Sequence, residues 1–119
     1  MTFTKFEELL HTKYPEASAC MHGKFAQTEH NNKVEIHFNK FSKCYLYYGS
    51  YIQILNRLGI KTVYKADIDM KKAEIARLRE ENGQPNPFFE GDLIDNTLVI
   101  KDIEADLKMY EDEHYIVVD

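Results

Sequence analysis

Ile100, Ile103, Leu107 and Tyr110 fall at i, i+3, i+7 and i+10 of one segment, about 96 to 112. That spacing is the narrow a/d seam of paired helices, so the segment needs a second helix laid along it. The preceding stretch supplies one, a helix over about 68 to 82 that Asp67 can cap and Asn82-Gly83 can end. Between them the proline-rich QPNPFFEGDLID is a loop and holds the only reversal this region needs. Two helices of similar length, each roughly 22 to 25 Å at 1.5 Å per residue, run out and back. The closing strand, in HYIVV, is thereby delivered beside the strand over 60 to 65. The expectation is an antiparallel strand pair carrying a projecting antiparallel helical hairpin. A narrow seam leaves most of both helices in water, which accounts for the acids Glu74, Glu80, Glu81, Asp102, Glu104, Asp106, Glu111 and Asp112.

The first half reads as a body of short elements. Thr4-Lys5-Phe6-Glu7 is a capping box, with the Thr4 hydroxyl serving the Glu7 N–H, and Phe6, Leu9, Leu10 and Tyr14 follow at helical spacing. Pro15 stops that helix, because the residue before a proline is pushed out of the α region. Residues 18 to 29 read as a strand with Ala19, Met21 and Phe25 on one face, and KVEIHF (33 to 38) alternates with Val34, Ile36 and Phe38 inward. A turn at His30-Asn31-Asn32-Lys33 would set Phe25 opposite Phe38. A third strand runs from about Lys43 to Tyr48. Ser50 can cap a second helix with Tyr51, Ile54, Leu55 and Leu58 on one face, and Gly59 then Ile60 suit a Schellman stop. The expected fold is therefore α+β, α-β-β-β-α-β-α-α-β, with an antiparallel sheet of about five strands, two packing helices and the hairpin.

A chain of 119 residues is about one domain, and 44% apolar with 29% charged residues argues against disorder. Within that single domain, 1–119, the charge divides. Residues 1 to 66 hold nine Lys/Arg against five Glu, a net +4, and eleven of the fifteen Phe and Tyr. Residues 67 to 119 hold six Lys/Arg against fifteen Asp/Glu, a net −9. A basic aromatic body and an acidic hairpin invite different partners. The start, MTFTKFEELLHTKYP, carries Lys5, Glu7 and Glu8 among its apolar residues, so it reads as neither a leader nor a membrane span, and a cytoplasmic protein is expected. In a reducing compartment Cys20 and Cys44 read as small buried hydrophobes rather than a bridge.

Signatures of chemistry are few. Glycine stands only at 23, 49, 59, 83 and 91, so GxxxxGK[ST], GxGxxG and GxSxG are absent. Asp67 and Asp69 suit the start of a helix, where the macrodipole favours carboxylates. Glu90-Gly91-Asp92 with Asp95 lacks the calcium-loop pattern. Cys20 and His22 share a strand face with His37, but the inferred register sets His37 opposite Ala26, about 13 Å along from His22, too far for one ion with ligands at about 2 Å. Neither a metal nor a cofactor is expected.

In Tyr45-Leu46-Tyr47-Tyr48, alternation separates Tyr45 and Tyr47 from Leu46 and Tyr48. One pair covers the helices; the other could stand beside Lys24, Lys40 and Lys43 as a surface for stacking bases and holding phosphates. The order helix, three strands, helix over residues 4 to 58 resembles the double-stranded-RNA-binding domain, including the HicA-type toxins that use it to cleave RNA. MHGKF (21 to 25) and YIQILNRLGI (51 to 60) look like that toxin's histidine strand and closing helix. The chain departs from it in lacking the Gly-Ser-His triplet and the Lys-Lys-x-Ala-Lys phosphate clamp, of which only Arg57 stands. The resemblance implies RNA binding by this half, with His22 as the catalytic residue of an RNase. YGSYIQILNRLGI and the terminal YIVV are similar to small accessory proteins of bacterial mobile elements, a resemblance that implies a counter-defence inhibitor acting by binding.

The leading expectation is a non-enzymatic binding protein. Glu74, Glu80, Glu81, Asp102, Glu104 and Asp106 would engage a basic protein surface, of the kind that holds nucleic acid, and occlude it. The alternative is a nucleic-acid-binding domain acting through Lys24, Lys40, Lys43, Tyr45, Tyr47 and Arg57, extended to an RNase through His22. A homodimer contact is the remaining use for the hairpin, and no membrane partner is expected.

Overall fold

The computed structural model describes residues 1–21 and 31–119. Its elements are α1 (Phe3–Lys13), β1 (Ser18–Met21), β2 (Asn32–His37), β3 (Tyr45–Gly49), α2 (Tyr51–Arg57), β4 (Thr62–Tyr64), α3 (Lys65–Glu81), α4 (Thr97–Asp112) and β5 (Ile116–Val118). The α+β order matches the sequence expectation element for element. The strands, however, divide into a three-stranded antiparallel sheet, β1-β2-β3, and a separate parallel pair, β4-β5. No helix among the described residues is long and apolar enough to cross a membrane. Two compact units result, Met1–Thr62 with Val118, and Val63–Val117 with Asp119.

In the first unit α1 starts earlier than its capping box suggested. Thr2, not Thr4, is the N-cap, and its hydroxyl accepts from the Lys5 N–H at 3.1 Å. The earlier start places Phe3 one turn before Phe6, with ring centroids 6.1 Å apart, and Phe6 lies 5.1 Å from the ring of Tyr51. One more aromatic thus joins the buried stripe of Phe6, Leu9 and Leu10. Helix α2 carries the Ser50–Gln53 capping box at its start. It ends in the anticipated Schellman motif, with Ile60 N–H bonding Leu55 O at 2.9 Å and Gly59 N–H bonding Asn56 O at 3.0 Å. Gly59 sits at φ 83°, and a Cβ there would collide with the Lys13 ammonium, which donates to Leu58 O at 3.1 Å.

The sheet's register differs from expectation. Ser18 pairs with His37, Cys20 with Glu35 and Met21 with Val34. His37 is therefore not opposite Ala26, and Phe38 is not in register with Phe25, which lies outside the described residues. Asn32 and Lys33, expected to turn, are the first residues of β2 and pair with Gly49 and Tyr48. The two registers differ by eight residues, an even number, so both send Val34 and Ile36 inward and the apolar pattern cannot choose between them.

In the second unit α3 and α4 pack through Ile75, Leu78 and Ile100, with Ile103 and Leu107 against them. That is the seam read from the sequence. Asp67 does not cap α3: the N-cap is Tyr64, without a side-chain bond, and Asp67 lies in the first turn, where its charge still meets the helix dipole. The β4-β5 pair is parallel where an antiparallel one was expected. An out-and-back hairpin contributes one reversal of the chain, and a parallel return needs a second. The junctions available for it are Tyr64–Lys65 and the end of α4, where His114 stands at φ 54° in a Schellman stop with His114 N–H bonding Glu111 O at 3.1 Å and Tyr115 N–H bonding Tyr110 O at 3.0 Å. The rings of Tyr110 and Tyr115, 5.0 Å apart, supply the apolar contact that accompanies such a stop.

Candidate partner-binding hairpin

The six carboxylates expected to meet a partner are not equivalent. Arg77 lies between Glu74 and Glu81, hydrogen-bonding both, and its bonds to Glu74 hold that carboxyl below its ordinary range. Glu104 pairs across the hairpin with Arg79, and Asp106 with Lys71 at 3.6 Å. These four stitch the hairpin to itself, along and across the seam. Exposed pairs of this kind add little to stability because water and salt screen them, but they compensate the charge locally. Glu80 and Asp102 are exposed on the same two helices and form no such pair among the described residues.

The connection between the helices is built rather than slack. Gly83, at φ 84°, donates to Ile94 O at 2.8 Å, and Ile94 N–H returns to Gln84 O at 2.8 Å. Asn86 N–H bonds Asp92 O at 2.9 Å, and the Asn86 side chain accepts from Phe88 N–H at 2.9 Å. Asn96 ties the base of the loop, its N–H bonded to Asn82 Oδ1 at 2.8 Å and its side chain donating to Leu78 O at 2.9 Å. Asp95 accepts from the side chain and backbone of Thr97, which lowers its carboxyl pKa.

On this frame stand apolar groups that the protein itself leaves in water. Phe88 is 86% exposed, Phe89 63% and Leu93 65%, with Leu98 and Val99 exposed on the first turn of α4. Between residues 80 and 100 there are five carboxylates, Glu80, Glu81, Glu90, Asp92 and Asp95, and no Lys or Arg. An open hollow of about 600 Å³ lies among Pro85, Pro87, Phe88, Glu90, Asp92 and Leu93. Its chemistry suits the side chain of a lysine or arginine, whose stem is apolar and whose head is cationic. Phe88 and Phe89 were read in sequence only as part of a loop. The signal available was two consecutive phenylalanines between turn residues, far from any apolar period.

In the other unit the two faces of the sheet divide the tyrosines of β3, and Tyr45 stays about half exposed. Tyr45 and Tyr47 share the inward side of β3 and surround Phe38, at 5.7 and 6.5 Å, which itself packs on Tyr14 at 4.9 Å. Burial, with Tyr14 and Tyr45 nearby, pushes the Tyr47 phenol up, opposed by Arg57. The tyrosine on the outward side is Tyr48, under the Lys33 ammonium at 5.7 Å. Lys40 lies 4.9 Å over the exposed ring of Phe41, and Lys43 is exposed in the same β2–β3 connection. His22 and Lys24 lie outside the described residues.

A further group went unrecognised in sequence. Cys20 and Cys44 are exposed rather than buried. Both thiols donate to the carboxylate of Glu35, Cys20 at 3.6 Å and Cys44 more closely, while His37 Nε2 lies 3.5 Å from the same carboxylate. The signal was Glu35-x-His37 on an alternating strand, with a cysteine on each side in sequence; the wrong register hid it. Comparison of the chain with protein-family models, curated proteins and solved structures gives no match.

Proposed function

We propose that this chain is a protein-binding module that occupies a basic surface of a partner protein, seating the tip of the α3–α4 hairpin there and excluding whatever acidic ligand, nucleic acid above all, that surface otherwise holds. The observation that carries the reading is the pair Phe88 and Phe89, largely exposed on a loop fixed by its own hydrogen bonds. Aromatic anchors dominate binding energy in many interfaces, and a pre-ordered loop loses less conformational freedom on docking. The unbalanced carboxylates around the tip supply sign and steering: they raise the rate of encounter with a cationic surface and make it salt-dependent. Four of the six acids expected at the interface serve the hairpin internally. The contact therefore centres on the loop, with Glu80 and Asp102 beside it.

The test is affinity capture from the native host with the wild-type chain and with Phe88→Ala/Phe89→Ala, quantified by mass spectrometry. A protein with a basic patch should be retained by the first and lost by the second. Truncating two aromatic anchors weakens such a complex by roughly 30-fold or more. Equal retention by both forms would overturn the reading. A wild-type dimer that becomes monomeric in the double variant would reassign the tip to self-association.

A further inference from the structure

The outward face of the β1-β2-β3 sheet gathers donors of a kind the hairpin lacks. Val34 and Ile36 are buried, so alternation turns Glu35 and His37 to the opposite face. The β1–β2 register sets Cys20 opposite Glu35. The β2–β3 register, with Ile36 opposite Tyr45, brings Cys44 level with His37. β1, β2 and the residue just before β3 thus contribute two sulfurs, an imidazole and a carboxylate to one place, positioned by the pairing of the strands that flank them.

The two sulfurs do not form a bridge. β1 and β3 flank β2, and Cys20 is opposite Glu35 while Cys44 is level with His37, so the two Cα atoms are at least two strand spacings apart, about 9.6 Å or more, beyond the roughly 7 Å that a disulfide spans. They face a shared carboxylate instead. One donor atom each from Glu35, His37 and Cys44 lies within 4.8 Å of the others. An ion bonded at about 2.0 to 2.3 Å holds donors up to about 4.6 Å apart, so small rotations of exposed side chains suffice to close the set. Cys20, 3.6 Å from the other oxygen of Glu35, lies outside that set and would join it as the fourth by turning its exposed side chain.

We propose that Cys20, Glu35, His37 and Cys44 form a binding site for a borderline or soft divalent cation of the zinc class, which would staple the three strands of the sheet. Two thiolates, one imidazole and one carboxylate make a four-coordinate set that selects zinc, cobalt or cadmium over magnesium and calcium, which require six or more oxygens. On binding, each sulfur gives its proton to solvent as the metal–sulfur bond forms, and the Glu35 carboxylate exchanges its thiol donors for the cation. No oxidation takes place. Because the ion binds only the folded sheet, it stabilises the fold.

The experiment is titration of the reduced 119-residue chain with Co2+, read by thiolate-to-cobalt charge-transfer absorption, followed by displacement with Zn2+ and thermal unfolding with and without Zn2+. A 1:1 end point, bleaching by zinc and a raised Tm are expected. Cys20→Ser and Cys44→Ser should each weaken cobalt binding by roughly a hundredfold, an equal share of a four-ligand site, and His37→Gln should shift the ligand-field bands. All four side chains face away from the core, so the variants keep the metal-independent circular dichroism of the parent. Absence of a charge-transfer band in the wild type, or its survival in the Cys20→Ser/Cys44→Ser chain, overturns the site.

Discussion

At Cys44 one hydrogen bond governs chemistry that exposure alone would not suggest. The thiol donates to Glu35, and that bond is the largest cause of a thiol pKa pushed up to about 11, ahead of desolvation and the carboxylate's charge. The carboxylate favours the protonated form, so at pH 9 only about 1% of Cys44 is thiolate, where an ordinary cysteine is more than half ionised. In a Cys20→Ser background, alkylation of Cys44 at pH 9 should therefore be slow, and Glu35→Gln should accelerate it on the order of tenfold or more. A rate profile centred near pH 8.5 in both forms would remove the carboxylate from the account. Residues that act through local spacing were legible beforehand: the Ser50 cap and Gly59 each act within five residues of chain. His114 was not, because histidine in the left-handed region carries no compositional signal, and only the Tyr110–Tyr115 contact and the two Schellman bonds show why it is held there.

Among the elements, the α3–α4 hairpin was the most readable, since a seam at i, i+3 and i+7 has one economical solution. Its stability rests on few groups: Ile75, Leu78 and Ile100 are the buried ones, and Ile103 and Leu107 are partly covered. Ile100→Ala should cost about 2 to 4 kcal/mol of hairpin stability. Hydrogen exchange should accelerate across residues 65 to 112 and remain slow in β2; protection unchanged in both helices would show that the seam is not what holds them. The β1–β2 register was the least readable, because strands report their faces and not their partners. That error had a consequence for the site. The separation of about 13 Å concerned His22, which lies outside the described residues, whereas the adopted pairing sets Cys20 into the cluster, directly opposite Glu35.

Over the whole molecule the net charge of −5 is the sum over two dissimilar parts, net +4 through residue 66 and −9 from residue 67 on. The chain should give no retardation of short RNA or DNA duplexes in gel shifts at low salt, because Tyr47 and part of the Tyr45 ring are engaged with Phe38 and leave no continuous stacking platform there. Retardation abolished by Lys40→Ala/Lys43→Ala would return the nucleic-acid alternative to first place. Sequence alone determined the order and kind of the nine elements among the described residues, the helix seam and the division of charge, since these depend on residues near one another along the chain. Tertiary structure decided which strands pair and how, which carboxylates are neutralised by Arg77, Arg79 and Lys71, and that two cysteines remote in sequence share Glu35. Those outcomes depend on distances between segments, and an apolar period of two or of three to four residues fixes a face while leaving its neighbour open.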